Sequence, residues 1–371
     1  MKKVIALLTG MFLILTLTAA GCPADAQETV DEAIRQSQDI DSQRVDFDVD
    51  MAVRGDLSSL GSEFADMEEI RLVIRGGADV DMTDADSPKA RGNVSIEGID
   101  ELLSRLGAGE EDSETQITRG LVSGFLSDIE FVNVDNRFYL RLAGTWYDTG
   151  EGLDLSEDNA QCYQDAMKDS SRWGSEHLFV DLQDAGSDEI DGVDTDRFTA
   201  DVDVDGALTA YADIARSCDD ADVAGRIEGG KSELVSFFRS FNTEMWIDGD
   251  GNFRQIRLQM DIDPDIVSGA GDVLGDLGAT TVPTTELESI TVDATLKFSR
   301  IGETIDITMP EGEIMPIEDL LNTFFGLGAF GGLGGVGGLG GLEGMQGLEG
   351  LPGLEGIEGL EGFDLEGLQG L

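Results

Sequence analysis

Histidine is nearly absent from these 371 residues, His177 being the only one, and cysteine occurs three times. One of those cysteines, Cys22, belongs to the export signal described below. The remaining pair with a single histidine argues against a structural zinc site, which needs four such donors. The same scarcity bears on catalysis. His177 reads as a surface or helix-end residue rather than a general base, and no serine sits in a G-x-S-x-G turn. Carboxylates are so numerous that no pair of them is informative. No enzyme activity and no cofactor are expected. Basic residues are scarce as well, with 24 Lys and Arg against 76 Asp and Glu and a formal charge of −52. Nucleic acid is excluded as a partner, because its binding depends on cations that neutralise phosphates. Such acidity also opposes docking of a charged protein face on an anionic bilayer.

Long apolar runs are few, and one of them organises the chain. Lys2 and Lys3 are followed by Val4 to Thr18 without a charge, then by the small residues Ala19, Ala20 and Gly21 before Cys22. The run has the length of a secretory h-region and is shorter than the ~20 residues that span a bilayer. The pattern resembles a bacterial lipoprotein signal with its lipobox. That resemblance implies diacylglyceryl transfer to the Cys22 sulfur, cleavage before Cys22, and acylation of the new amino terminus. Several acyl chains make a firm anchor where one is reversible. The expected location is therefore extracytoplasmic, on the cell membrane or outer membrane. Removal of residues 1–21 takes away two lysines and no acid, which leaves 22 basic against 76 acidic side chains and a formal charge of −54. Self-repulsion at that level costs stability at low ionic strength. A saline habitat rich in cations is one reading of it, and a heavily solvated surface is the other.

Beyond Cys22, the pair Cys162 and Cys218 can close a disulfide in an oxidising compartment, with two free buried thiols as the alternative. The pattern of the chain is mostly a period of two. Val45, Phe47, Val49, Met51 and Val53 alternate with Asp46, Asp48 and Asp50. Comparable alternation returns around Leu72 and Ile74, Val80 and Met82, Val94 and Ile96. It continues over 128–134 and 137–142, 193–204, 244–247, 253–262, 288–298 and 304–309. Helical spacing is read at 27–38, 99–106, 156–171, 176–184, 207–218 and 232–241. Two interruptions, 98–124 and 264–285, are rich in Gly or acid. The sum predicts an α+β fold, one twisted antiparallel sheet with an apolar and an acidic face and helices against the apolar one.

From Leu327 to Phe363 an apolar residue recurs every third position, with glycine filling most of the gaps and Pro352 as the only proline there. Glycine destabilises a helix, and so little proline argues against a collagen-like triple helix. A sticky, low-complexity tail is expected, a candidate contact for another envelope protein.

Three further motifs are weighed. Gly225 to Ser232 fits G-x-x-x-x-G-K-[ST] letter for letter, but the acidic stretch Cys218 to Asp222 enters it where a buried strand should. It reads as a Gly-rich loop before a helix. Asp201-Val-Asp203-Val-Asp205 and Asp248-Gly-Asp250-Gly-Asn252 open like calcium loops, but neither has the acidic residue at position twelve. They read as strand alternation and a hairpin turn.

Four stretches together resemble the LppX/LprG group of bacterial lipoproteins, to which the LolA and LolB carriers are related. They are Phe138 to Leu142 with Trp146, Ile190 to Asp203, Met245 to Arg254, and Phe298 to Pro310. The resemblance covers residues 44 to about 320. It implies a curled, incompletely closed antiparallel β-sheet, a half-barrel, with helices over its concave face. It also implies an apolar cavity between them that carries lipid or acyl chains across the envelope. Strand parity selects the lining candidates Phe47, Met51, Ile74, Phe198, Val202, Ile256, Leu258, Met260 and Leu296. The organisation expected is a signal peptide at 1–21, an anchor segment and helix at 22–43, a β-rich domain at 44–322 and the tail at 323–371. The alternative is a non-catalytic surface lipoprotein with a sealed core and a sticky tail. Replacing Cys22 by Ala should release the protein from the membrane fraction, and retention at the wild-type level would refute the anchor.

Overall fold

The computed structural model describes residues 24–60, 64–84, 87–106, 128–151, 162–163, 166, 175–264 and 287–320. The signal with Cys22, most of the two interruptions, most of the helix read at 156–171 and the tail lie outside them. Twelve strands form one sheet. They are β1 Ser42–Gly55, β2 Glu69–Asp81, β3 Lys89–Glu97, β4 Ile129–Val134, β5 Arg137–Leu142, β6 Thr145–Glu151, β7 Phe179–Ile190, β8 Val193–Val202, β9 Phe238–Asp248, β10 Phe253–Ile262, β11 Leu287–Ser299 and β12 Ile314–Pro316. Four α-helices are α1 Ala24–Ser37, α2 Ile99–Leu106, α3 Val204–Ser217 and α4 Ala221–Ser236, and residues 317–320 are helical as well. The strand order is β12-β6-β5-β4-β3-β2-β1-β11-β10-β9-β8-β7, so the sheet curls without closing. The protein is an α+β half-barrel. All pairs are antiparallel except β12 with β6, which makes the sheet mixed.

Register follows the alternation. Phe47 stands opposite Leu296 on one side and Gly76 on the other. The row continues through Ile256, Met245 and Phe198. Because side chains alternate strictly across a strand, one such row fixes the facing of all its neighbours. Both edges resist pairing with another chain. At one edge β12 is three residues ending in Pro316. At the other, β7 carries Asp181, Asp184, Asp188 and Glu189 and is broken by two register shifts.

Helices α1 and α3 cover part of the apolar face. Val30, Ala33 and Ile34 of α1 and Ala210 and Ile214 of α3 are buried in one cluster with Phe198, Met245, Ile256, Leu258 and Leu296. Each of the larger side chains contributes about 1.5–3 kcal/mol when fully buried. Asp203 caps α3 by accepting from the Gly206 amide, and Asp220 caps α4 by accepting from Val223. Cys162 and Cys218 are joined by a disulfide with a Cα–Cα distance of 5.6 Å. It closes a separation of 56 residues, which stabilises by about 4 kcal/mol on the chain-entropy model.

Four local readings differ from the structure. Residues 176–184 form one 3-10 turn and the start of β7 rather than a helix. The buried pair Leu178 and Leu182 has helical spacing, but a bulge with Asp181 at φ 56° lets Phe179 and Leu182 both face inward from a strand. Residues 304–309 join no ladder. Ile305 and Ile307 instead pack with Val132, Val134, Tyr139 and Trp146 as a second core on the opposite face of β4–β6. The strand read at 193–204 stops at Val202, where Asp203 becomes the cap of α3. Finally, α4 starts at Ala221 and ends at Ser236, so Gly225 to Ser232 is helical and Phe238 to Phe241 belongs to β9.

Gly225, Gly229 and Gly230 of α4 meet nothing where a Cβ would be added. Alanine at Gly229 or Gly230 should raise stability in urea denaturation by about 1 kcal/mol each. Leu258→Ala, under the sealed part of the sheet, should cost about 2–5 kcal/mol.

Candidate functional site

All nine lining candidates lie on one sheet face, since their strands are in register through Phe47–Leu296–Ile256, Met51–Val292–Met260, Val49–Ala294–Leu258 and Ile74–Val49. They do not share one environment. Phe198, Ile256, Leu258, Met260 and Leu296 are buried in the main core. Phe47, Met51, Ile74 and Val202 are only partly buried and pack against its margin. The face thus has a sealed part from β8 to β11 that extends to Val49 of β1, and a part from the rest of β1 to β5 that stays half-buried. On that second part Leu72, Ile74, Val94, Ile96, Ile129, Phe131 and Leu140 are all intermediate in exposure.

Two strand glycines lie within it. Gly76 of β2 stands opposite Val94 of β3, and Gly92 of β3 opposite Phe131 of β4. A Cβ on Gly76 would come within 2.6 Å of the Phe47 ring, and one on Gly92 within 2.7 Å of the Phe131 ring. The tip of each ring therefore reaches over a glycine of the next strand, and Phe138 stacks on Phe131 at 6.0 Å between centroids. Such a surface offers apolar contact without polar anchors, the chemistry of an acyl chain or another flexible apolar ligand. Gly76, Gly92 and Phe131 were not among the sequence candidates. A glycine inside a strand signals close approach of something, but what approaches is a ring one strand away, found only once register is known.

The opposite face is polar, and its arginines are paired. Arg71 bonds Asp50, Arg75 bonds Asp48 and Glu97, Arg44 bonds Asp46, Arg257 bonds Asp293, and Arg197 bonds Glu244. The Arg71 guanidinium holds Asp50 below its ordinary value, and Arg257 with Gln259 does the same for Asp293. A groove of about 440 Å³ on this face is lined by Asp50, Arg54, Arg71, Asn242, Gln259 and Asp293. Arg71 pairs with Asp50 within it, whereas the buried Oδ1 of Asp261, also in its lining, has no hydrogen-bond partner.

The remaining motifs are absorbed by local structure. Asp248 accepts from the amides of Asp250 and Asn252 at 3.0 and 2.8 Å and from Arg254 Nε at 2.6 Å. Burial pushes its carboxyl up, but the Asn252 amide and the Arg254 guanidinium outweigh that, and its pKa is lowered. The oxygens that a calcium ion would need are spent on closing the β9–β10 hairpin, whose Asn252 also accepts from Gln36 of α1. In α4, Lys231 reaches Asp205 at 2.7 Å and Thr209 at 2.6 Å, so it ties two helices rather than facing a phosphate. Tyr163, beside the disulfide, donates to Asp220 at 3.2 Å; burial, with Asp220 and Tyr211 nearby, pushes its hydroxyl up. His177 ends the 3-10 turn and is exposed. Among the described residues no group of three or more His, Cys, Asp or Glu is placed to hold a metal ion, and no helix is long and apolar enough to cross a membrane.

Among solved structures the chain is similar to LprF from Mycobacterium bovis, at 14% identity over 79% of this chain and 100% of that one, with a TM-score of 0.39. It is also similar to the Mycobacterium tuberculosis lipoprotein LppX, at 13% identity over 77% and 100%, with a TM-score of 0.36. A DUF1329 family protein from Desulfovibrio piger matches at 8% identity over 76% and 95%, with a TM-score of 0.19. LppX belongs to the group that the strand-and-turn motifs resemble. No family model matches the chain, and no curated protein matches its sequence.

Because the folded pKa of Asp248 lies below its unfolded one, its contribution is present above about pH 4 and is lost as pH falls through the folded value. Asp248→Asn should therefore cost about 2 kcal/mol at pH 7, and its deficit against the wild type should shrink below pH 4 in urea denaturation. A deficit independent of pH would show that the hairpin does not depend on the charge.

Proposed function

We propose that this chain is an exported lipoprotein, anchored to a membrane through acyl chains on Cys22, whose β-rich domain binds and carries lipid or another apolar ligand. The observation that carries this reading is the division of one apolar face into a sealed half and a half-open one. Where helices cover it, over β8 to β11, Phe198, Ile256, Leu258 and Leu296 are each less than 5% exposed. Over β2 to β5 the same rows continue with equally large side chains that stay half-buried. An extended apolar surface in a soluble domain marks a contact to be made. Phe47 reaching over Gly76 and Phe131 over Gly92 add two aromatic rings to that surface.

The lining of this site comprises Phe47, Met51 and Ile74 at its inner margin. Phe198, Ile256, Leu258, Met260 and Leu296 act as the packed floor that keeps the sheet curled, with Val202 at its margin. No step of this function needs a nucleophile, a base or a metal. The chain works as a binding protein.

Native mass spectrometry of protein lacking residues 1–22, followed by solvent extraction, tests the reading. The wild type should carry lipid. Ile96→Asp, on the half-open part, should lower bound lipid at least tenfold while the melting transition moves by only a few degrees. Wild-type protein free of extractable lipid, and unable to take up a fluorescent fatty acid, would instead support a surface module whose face is closed by the chain itself.

A further inference from the structure

The half-open part of the apolar face is not uniform along its strands. Register places on it the odd-numbered residues of β1 and β4 and the even-numbered residues of β2, β3 and β5. None of these residues is charged, and only Gln43 and Asn133 are polar. Both fall in one cross-strand row, Gln43–Val80–Ala90–Asn133–Phe138, at one end of the face. Asn133 is held there by donating to the Pro88 carbonyl at 2.7 Å, and Gln43 is half-buried. At the other end Ile70 pairs with Val53, about 33 Å away along β2 at 3.3 Å per residue. Between the two ends the face holds only apolar side chains and glycine. The strand ends beside the polar row are acidic. Asp41 precedes β1, Asp81 closes β2, Asp84 lies in the turn that follows and Asp135 in the β4–β5 turn. The cations there face carboxylates: Lys89 stands opposite Asp81 in the ladder, Arg91 opposite Asp79, and Arg137 pairs with Asp148.

We infer that the half-open face binds a long-chain amphiphile in one direction, with an uncharged, hydrogen-bonding head at the Gln43–Asn133 row and the chain running along β2 and β3 towards Ile70. The inference rests on the lipid-binding reading and adds the class and direction of the ligand. The polar row sets the direction. A carboxamide both donates and accepts, so it can pair a hydroxyl, ester or amide head. Anywhere else on the face the polar atoms of that head would be set against apolar side chains without a partner. Charge sets the class. Asp81 adjoins Val80 of the row, and Asp135 follows Asn133 by two residues. Both therefore lie within about 8 Å of it, one Debye length in physiological salt. A carboxylate or phosphate head would meet these acids and find no cation on the face to offset them. The net charge of the whole chain acts in the same sense.

Titration of protein lacking residues 1–22 with a pyrene-labelled long-chain alcohol and with the matching carboxylic acid tests this, at about pH 8 where the acid is ionised. The wild type should bind the alcohol at least tenfold more tightly. Gln43→Lys, which leaves the Asn133–Pro88 bond in place, should narrow that ratio at least fivefold by gaining affinity for the acid. Asn133→Lys should do the same. Val53→Lys, at the opposite end of the face, should leave the ratio unchanged. A gain of affinity cannot arise from a loss of fold. Acid bound by the wild type as tightly as alcohol overturns the choice of head. A ratio that neither row variant moves, or that Val53→Lys narrows as much as Gln43→Lys, overturns the direction. Each of these results requires a bound probe and so leaves the lipid-binding reading intact. Failure of the wild type to bind either probe overturns that reading and the inference with it.

Discussion

Strand parity is the constraint on which the rest of the structure depends. A slip of one residue between β1 and β11 would exchange Phe47 and Val49 for Asp46 and Asp48 on the core side. The cost would be the loss of several buried apolar side chains at about 1.5–3 kcal/mol each, together with burial of carboxylates whose desolvation is costlier still. No comparable penalty attaches to twist or to edge position, and for this reason the sheet can curl and stay open while its register stays fixed. Everything functional is downstream of that register. Gly76 falls under Phe47 and Gly92 under Phe131, and one residue of shift would separate each pair.

Electrostatics plays a different part on the two faces. The paired arginines on the polar face are mostly solvent-exposed, and such pairs contribute about 0–1 kcal/mol each. Their use is to break up a field that 76 carboxylates would otherwise create. Cross-strand placement, as in Arg71 with Asp50 on neighbouring strands, puts a cation between acids that would repel directly across the ladder. Asp248 is the exception, since it is 7% exposed and organises a turn. Its hydrogen bonds run to backbone amides, so it fixes the β9–β10 hairpin and, through Asn252 and Gln36, the end of α1 against it.

Much of this is legible in the sequence because alternation records facing directly. The strand cores, the apolar and acidic faces, the hairpin at Asp135 and Asn136 with both φ angles positive, and the common facing of the nine lining candidates all follow from period two. What is not legible has identifiable causes. Alternation says which way Ile305 and Ile307 point but not that the strand ladder is absent, since packing on the second core satisfies the same pattern. Helix α4 contains three glycines that propensity counts against a helix, and its caps, its link to α3 through Lys231 and the adjacent disulfide outweigh that bias. The division of the apolar face into sealed and half-open parts lies beyond a single-strand reading altogether. It depends on which strands α1 and α3 cover, and that is a long-range fact.

The division also answers a question of stability. A wide apolar face with no cover should collapse by closing the curl, and a fully covered one should have nothing left to bind. Here helices α1 and α3 fix β8 to β11 as a rigid floor, and the Cys162–Cys218 disulfide holds the α3–α4 turn against the segment at 162–163. On β2 and β3, the glycines at 76 and 92 let Phe47 and Phe131 reach over them, so part of the surface is covered by rings from within the sheet. That lowers the penalty of keeping the face open without filling it. On the proposed function, a flexible apolar ligand would gain its contacts on this half-buried part, since the side chains of the floor are already buried against the helices.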